Sequence, residues 1–141
     1  MNDMKNNGGI KCTKLKRIFN PKGDIFHALK ASEDDSFQFG EAYFSMVNEN
    51  EIKGWKKHSL MVMNLIVPVG DVTFYIFDEV NNIHSKYRLN ADNYIRLTVP
   101  PGYWMAFEGH DDAHNLVLNI ASMEHDPNES KTVDINQFLL G

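Results

Sequence analysis

Apolar and polar positions along the chain alternate with a period of two in short runs, and turn-forming residues separate the runs. "RIF" leads into "NPKGD", a turn with Pro21 and Gly23 in place. "IFHALKA" then sets Ile25, His27 and Leu29 against Phe26, Ala28 and Lys30. "FQFGEAYFSMV", residues 37–47, reads as a strand with Gly40 at a bulge position. "LMVMNLIVPV" and "VTFYIF" are the strongest strands. They flank Gly70-Asp71, which predicts a hairpin, with Pro68 at an edge or a bulge. Further on, "KYRL" is a short strand, "YIRLTV" and "YWMAF" flank "PPG", and "HNLVLNIAS" is another strand. The segment from Glu124 is polar until "INQFLLG", where Phe138, Leu139 and Leu140 are docking candidates. "TVDINQFLLG" is the one helical candidate. Many short strands with regular turns predict an all-β sandwich or barrel. Residues 1–10, rich in Asn and Gly, are expected to be a disordered tail, and 11–141 a single domain.

Several strands are apolar on both faces. Met61, Met63, Leu65 and Val67 point one way, and Leu60, Val62, Asn64 and Ile66 the other. A half-exposed sheet would alternate with polar residues. One face therefore belongs to the core, and the other meets a second sheet, a partner subunit or a ligand; a homodimer is expected.

Composition narrows the function classes. The 141 residues suffice for one sizeable core. Net charge is -5, which argues against general nucleic-acid binding, although a local basic patch can hold a small anion. Cys12 is the only cysteine, so neither an intrachain disulfide nor a cysteine-based zinc site can form, in keeping with a reducing cytoplasm. "MNDMKNNGGI" lacks the apolar core of a signal peptide. The apolar run 60–69 is too short to span a bilayer. A soluble cytoplasmic protein without nucleic-acid or membrane contacts is expected.

Candidate chemistry gathers at "KGWKKH". Lys56 and His58 are two residues apart, so on a strand they share a face. Either can act as a general base. Lys53 suits a phosphate contact. Tyr43 is a proton-donor candidate, with Glu41 and Ser45 on the same strand face. Asn64 and Asn119 are amides inside apolar strands; each must hydrogen-bond a ligand, the other amide or the backbone. The competing reading of "KGWKKH" is a solvated, lysine-rich strand end with Trp55 packed beneath it. Trp55, Trp104 and Tyr103 are core or interface residues before they are base-stacking platforms. The histidines at 27, 84, 110, 114 and 125 show no zinc-type spacing, and no metal is expected.

Five pieces carry a family resemblance in order and spacing: "RIFNPKGDIFHAL", "GEAYFSMVNENEIKGWKKH", "LIVPVGDVTFYIFDE", "NYIRLTVPPGYWMAFEG" and "LVLNIASMEHDPNE". They cover most of residues 15 to 130, and the chain resembles the RmlC-like cupins, the jelly-roll family of dTDP-4-dehydrorhamnose 3,5-epimerases and sugar ketoisomerases. The resemblance implies a cupin jelly-roll barrel open to a nucleotide sugar of the dTDP-4-keto-6-deoxyhexose type. It implies isomerase chemistry in cell-surface polysaccharide synthesis, with no cofactor. The family's base is a His paired with an Asp, and its acid is a Tyr on the opposite face of the sugar. Its basic-Gly-apolar-His pattern falls on Lys53, Gly54, Trp55 and Lys56, so Lys56 stands at the base position. The acid Tyr aligns with Asn119, and the Asp belongs to a C-terminal extension that is not expected here. Lys56, His58 and Tyr43 are then the catalytic candidates, and Lys53, Glu41, Asn64 and Asn119 the substrate-binding ones. The rival expectation is a non-catalytic cupin that binds a sugar or anion, or a partner subunit of a sugar-nucleotide enzyme.

Overall fold

The structure, a computed structural model, describes residues 6–7, 9–34 and 36–141. The strands in chain order are β1 (Asn6–Asn7), β2 (Ile10–Lys14), β3 (Arg17–Ile18), β4 (Ile25–Phe26), β5 (Glu41–Met46), β6 (Ile52–His58) and β7 (Met63–Val69). They continue as β8 (Asp71–Asp78), β9 (Ile83–Asn90), β10 (Ile95–Val99), β11 (Trp104–Gly109), β12 (Leu116–Ala121) and β13 (Ser130–Thr132). A six-stranded sheet runs β1-β2-β10-β7-β12-β5, and a five-stranded sheet runs β13-β6-β11-β8-β9. The short pair β3-β4 stands apart and carries the "NPKGD" turn. The two large antiparallel sheets form the all-β cupin jelly roll. Most of the expected tail, residues 1–5 and 8, lies outside the described residues; Asn6–Asn7 pairs with Ile10 and Lys11.

The core lies between the sheets. Met63, Leu65, Val67, Leu97, Val99, Val117 and Ala121 face Val72, Phe74, Ile76, Leu89 and Met105. Burial of these side chains, each worth about 1.5–3 kcal/mol, is the main stabilising term. The doubly apolar strands have a physical cause on each sheet. The outer face of the five-stranded sheet is covered by the chain's last segment, as Val133, Ile135, Phe138 and Leu140 pack against Trp55, Phe77, Trp104 and Ala106. Leu139, expected to dock with its neighbours, is 82% exposed. The helical candidate forms only a 3-10 turn, Ile135–Gln137. The six-stranded sheet is partly covered by Leu29 and Phe37, which line a cavity with Val62 and Asn64.

One expectation is overturned. β7 and β8 do not form a hairpin at Gly70-Asp71: β7 pairs with β10 and β12, and β8 pairs with β9 and β11. The chain turns a corner there from one sheet to the other. Gly70 has φ +96°, and a Cβ on it would lie 2.3 Å from the His114 carbonyl oxygen. Buried Asn115 holds this corner by accepting from the backbone N–H groups of Asp71 and Asp111 and donating to the Val47 carbonyl. The "PPG" turn is likewise a corner, from β10 in one sheet to β11 in the other. Pro68 lies in a central strand at a register shift between Leu116 and Leu118, so it sits at a bulge and not at an edge.

Candidate active site

Strand β6 carries the basic cluster. Its partners on β11 show which way each side chain points, because residues opposite each other share a face. Lys56 pairs with Met105 and Lys53 with Phe107, both on the core side. Lys57 pairs with Trp104, whose ring lies on the outer face, and its Nζ sits 4.9 Å from that ring. The register shifts between Met105 and Phe107, which lets Lys53 and Lys56 face inward although they are three residues apart. Gly54 occupies the shift. Its φ is +145°, and a Cβ there would lie 2.5 Å from the Ala106 Cβ. Trp55 is fully buried, on the outer side of the sheet, opposite to Lys56.

His58 is two residues beyond Lys56 on the same strand face. Its Nδ1 lies 2.7 Å from Oε1 of Glu129, and the two side chains are 6% and 2% exposed. The other carboxylate oxygen of Glu129 accepts from the backbone N–H groups of Leu60 and Met61. Burial pushes the Glu129 carboxyl up, but the hydrogen bonds from His58, Leu60 and Met61 and the His58 charge outweigh it and hold the group below its ordinary value. A carboxylate on Nδ1 orients the imidazole and leaves Nε2 as the nitrogen to take a proton. The "PPG" corner adds a clamp from behind, since the Gly102 N–H donates to the His58 carbonyl at 2.8 Å.

Glu129 is the functional residue that sequence reasoning missed. It lies 71 residues from His58, in a segment read as a polar tail. The only signal was its place at the end of the last family-like piece, "LVLNIASMEHDPNE". The carboxylate beside His58 comes from within these residues, a Glu immediately before β13.

Strands β12 and β5 bring further polar groups to the same face of their sheet. Asn119 pairs with Tyr43, and its neighbours Val117 and Ala121 pair with Ser45 and Glu41. Asn119 donates from Nδ2 to the Tyr43 hydroxyl at 3.0 Å and accepts from the Asn64 backbone N–H. Lys53 Nζ reaches the Ser45 hydroxyl at 3.4 Å and lies 5.9 Å from the Phe107 ring centre. Glu41 accepts from the His125 backbone N–H at the strand's end. Lys53, Lys56, His58, Tyr43, Glu41 and Asn119 thus all face inward. Asn64 does not join them. It pairs with Thr98 on the outer face, where its Oδ1 accepts from the Thr98 hydroxyl. There it lines a cavity of about 220 Å³ with Arg96 and Glu33, away from His58. Among the described residues no group of three or more His, Cys, Asp or Glu side chains is arranged to hold a metal ion.

The lowered pKa of Glu129 makes part of the protein's stability pH-dependent. A carboxyl whose folded value lies below its unfolded one stabilises the fold above the ordinary Glu range, and that contribution is lost as pH falls through the lower folded value. Urea midpoints at pH 7 and pH 4 are expected to differ less in Glu129→Gln than in the parent. An unchanged pH dependence would show that the Glu129 carboxyl titrates in the folded state as it does in the unfolded chain.

The two antiparallel sheets, with a buried His–carboxylate pair and lysines on the inward face of β6, define a cupin jelly roll. The chain belongs to the RmlC-like cupins. A dTDP sugar isomerase from Desulfovibrio desulfuricans is 31% identical over 92% of this chain and 86% of that one, with a TM-score of 0.87. The fold is shared with a dTDP-4-dehydrorhamnose 3,5-epimerase from Sulfolobus tokodaii, at 17% identity over 95% of this chain and 82% of that one, TM-score 0.82. It is also shared with a 3,4-ketoisomerase from Thermoanaerobacterium thermosaccharolyticum, in complex with TDP-4-keto-6-deoxyglucose, at 20% identity over 86% of both chains, TM-score 0.74. No protein-family model and no curated protein matches the chain.

Proposed function

We propose that the protein is a sugar-nucleotide isomerase or epimerase that removes a proton next to the 4-keto group of a dTDP-linked 6-deoxyhexose. The observation that carries this reading is the buried His58–Glu129 pair on the inward face that also holds Lys53 and Lys56. His58 Nε2 takes the proton, and Glu129 orients the ring and stabilises the imidazolium. The negative charge then moves to the ketone oxygen as an enolate, which Lys56 offsets. Lys53 meets the pyrophosphate. The Tyr43 hydroxyl, bonded to the amide that aligns with the family's acid Tyr, returns a proton. If the proton returns to the carbon it left, from the opposite face, the outcome is epimerisation; if a proton reaches the former ketone carbon while the hydroxyl proton of the deprotonated carbon passes to the former ketone oxygen, the outcome is ketoisomerisation. The similarity to a dTDP sugar isomerase supports the substrate class.

Such chemistry belongs to cell-surface polysaccharide synthesis in the cytoplasm. No described helix is long and apolar enough to cross a membrane. A homodimer accounts for the apolar outer face of β5, where Phe44 is 66% and Met46 47% exposed.

The test is proton exchange. The protein is incubated with dTDP-4-keto-6-deoxyglucose in heavy water, and the sugar protons are followed by NMR. Exchange at one carbon next to the ketone identifies the ketoisomerase or a mono-epimerase, and exchange at two the 3,5-epimerase. Binding without exchange would replace this reading with that of a sugar-binding cupin. Lys53→Ala is expected to raise KM about tenfold with kcat little changed, because it removes binding that is equal in ground and transition states. An effect confined to kcat would remove Lys53 from the pyrophosphate.

A further inference from the structure

We propose that the segment after β13, residues 133–140, is the positioning element of the His58–Glu129 pair, with Phe138 and Trp55 as its anchors. The inference rests on the reading of His58 as the base. Glu129 lies at the margin of the barrel: it directly precedes β13, a three-residue edge strand that pairs Ser130, Lys131 and Thr132 with His58, Lys57 and Lys56. The Glu129 carbonyl accepts from the backbone N–H and the hydroxyl of Ser59. So short an edge pairing opens easily unless something beyond it is fixed.

Residues 133–140 supply that fixing, and they do so on β6 itself. Val133 and Trp55 exchange both backbone hydrogen bonds, at 3.0 and 3.1 Å. The Trp55 indole N–H donates to the Ile135 carbonyl at 3.0 Å. The Phe138 ring then closes on three others, with centroids 5.9 Å from Trp55, 4.9 Å from Phe77 and 5.3 Å from Trp104. Trp55 points outward, whereas His58, further along the same strand, points inward. One strand therefore carries the docking anchor on its outer face and the base on its inner face. The docked segment holds β13 in register from its far end, and β13 in register places the Glu129 carboxylate on Nδ1. With the segment undocked the barrel core persists, because Val72, Phe74, Leu97 and their neighbours make none of these contacts. The pair alone is loosened.

The experiment compares the parent with Phe138→Ala, and with Phe138→Leu as the conservative variant. Amide hydrogen exchange is read at Leu60 and Met61, whose N–H groups donate to Glu129, and at Leu65 and Leu118 in the six-stranded sheet. In Phe138→Ala, exchange at Leu60 and Met61 is expected to accelerate about tenfold or more, with Leu65 and Leu118 unchanged. Catalytic kcat is expected to fall with KM retained, and Phe138→Leu to restore kcat and the slow exchange at Leu60 and Met61. Unaltered exchange at Leu60 and Met61 overturns the proposal. So does equal acceleration at all four sites, which would make the segment a general stabiliser. If Phe138→Ala does not fold, Leu140→Ala, at the segment's margin, is read in the same way. The exchange readout needs no substrate: selective acceleration in a protein without turnover would sink the catalytic reading and leave the positioning of the pair standing.

Discussion

His58→Asn is expected to abolish deuterium incorporation next to the sugar ketone, lowering kcat by about 100-fold to 10,000-fold, the range that a positioned general base contributes. The amide keeps a donor near Glu129 but has no nitrogen lone pair with which to take a proton. KM is expected to stay close to the parent value, because Lys53 and Lys56 remain in place. Lys56→Ala separates the two candidates. If His58 is the base and Lys56 offsets the enolate charge, Lys56→Ala lowers kcat but leaves slow, measurable exchange. The reverse pattern, with exchange surviving in His58→Asn and absent in Lys56→Ala, would move the base to Lys56, the position that the family pattern alone indicates. Both variants are read by the NMR exchange assay, with ligand binding checked by chemical-shift perturbation.

The second large effect is on stability. Glu129→Ala leaves His58 Nδ1 and the backbone N–H groups of Leu60 and Met61 without their acceptor in a buried site. Each unsatisfied buried group costs about 1–3 kcal/mol. A loss of about 3 kcal/mol in urea unfolding is expected at pH 7. Glu129→Gln keeps a carbonyl oxygen as an acceptor and removes the charge, so it is expected to cost less stability while still slowing turnover. A loss below about 1 kcal/mol for Glu129→Ala would mean that water reaches these groups and that the pair is not a dry, preorganised unit.

The period-two patterning was legible because each strand of a two-sheet barrel repeats it locally. The β7 and β8 runs and the shared face of Lys56 and His58 come from single strands, whereas Pro68 read as an edge or a bulge until its pairing with β12 settled the bulge. The false hairpin at Gly70-Asp71 shows where this stops. A tight turn with glycine between two strong strands reads the same whether the chain folds back on its own sheet or crosses to the other. The choice was made by Asn115 and the β9, β10, β11 and β12 neighbours, which are remote in sequence. The two asparagines make the same point. Asn64 and Asn119 look alike in apolar strands, yet one faces the outer cavity and the other the interior. Asn119 pairs with Leu65, the chain neighbour of Asn64, and successive residues of a strand take opposite faces of the sheet.

What the sequence by itself determined is the strand content, the common strand face of Lys56 and His58, the burial of Trp55 and, through its family-like pieces, the jelly roll. Those properties depend on residues close together in the chain or on motifs that keep their order. Only the tertiary structure decided that His58 has a carboxylate partner. Glu129 acquires its role from a three-residue edge strand and the anchored segment behind it, and no local pattern distinguishes a glutamate that will be buried against an imidazole from one that remains in solvent.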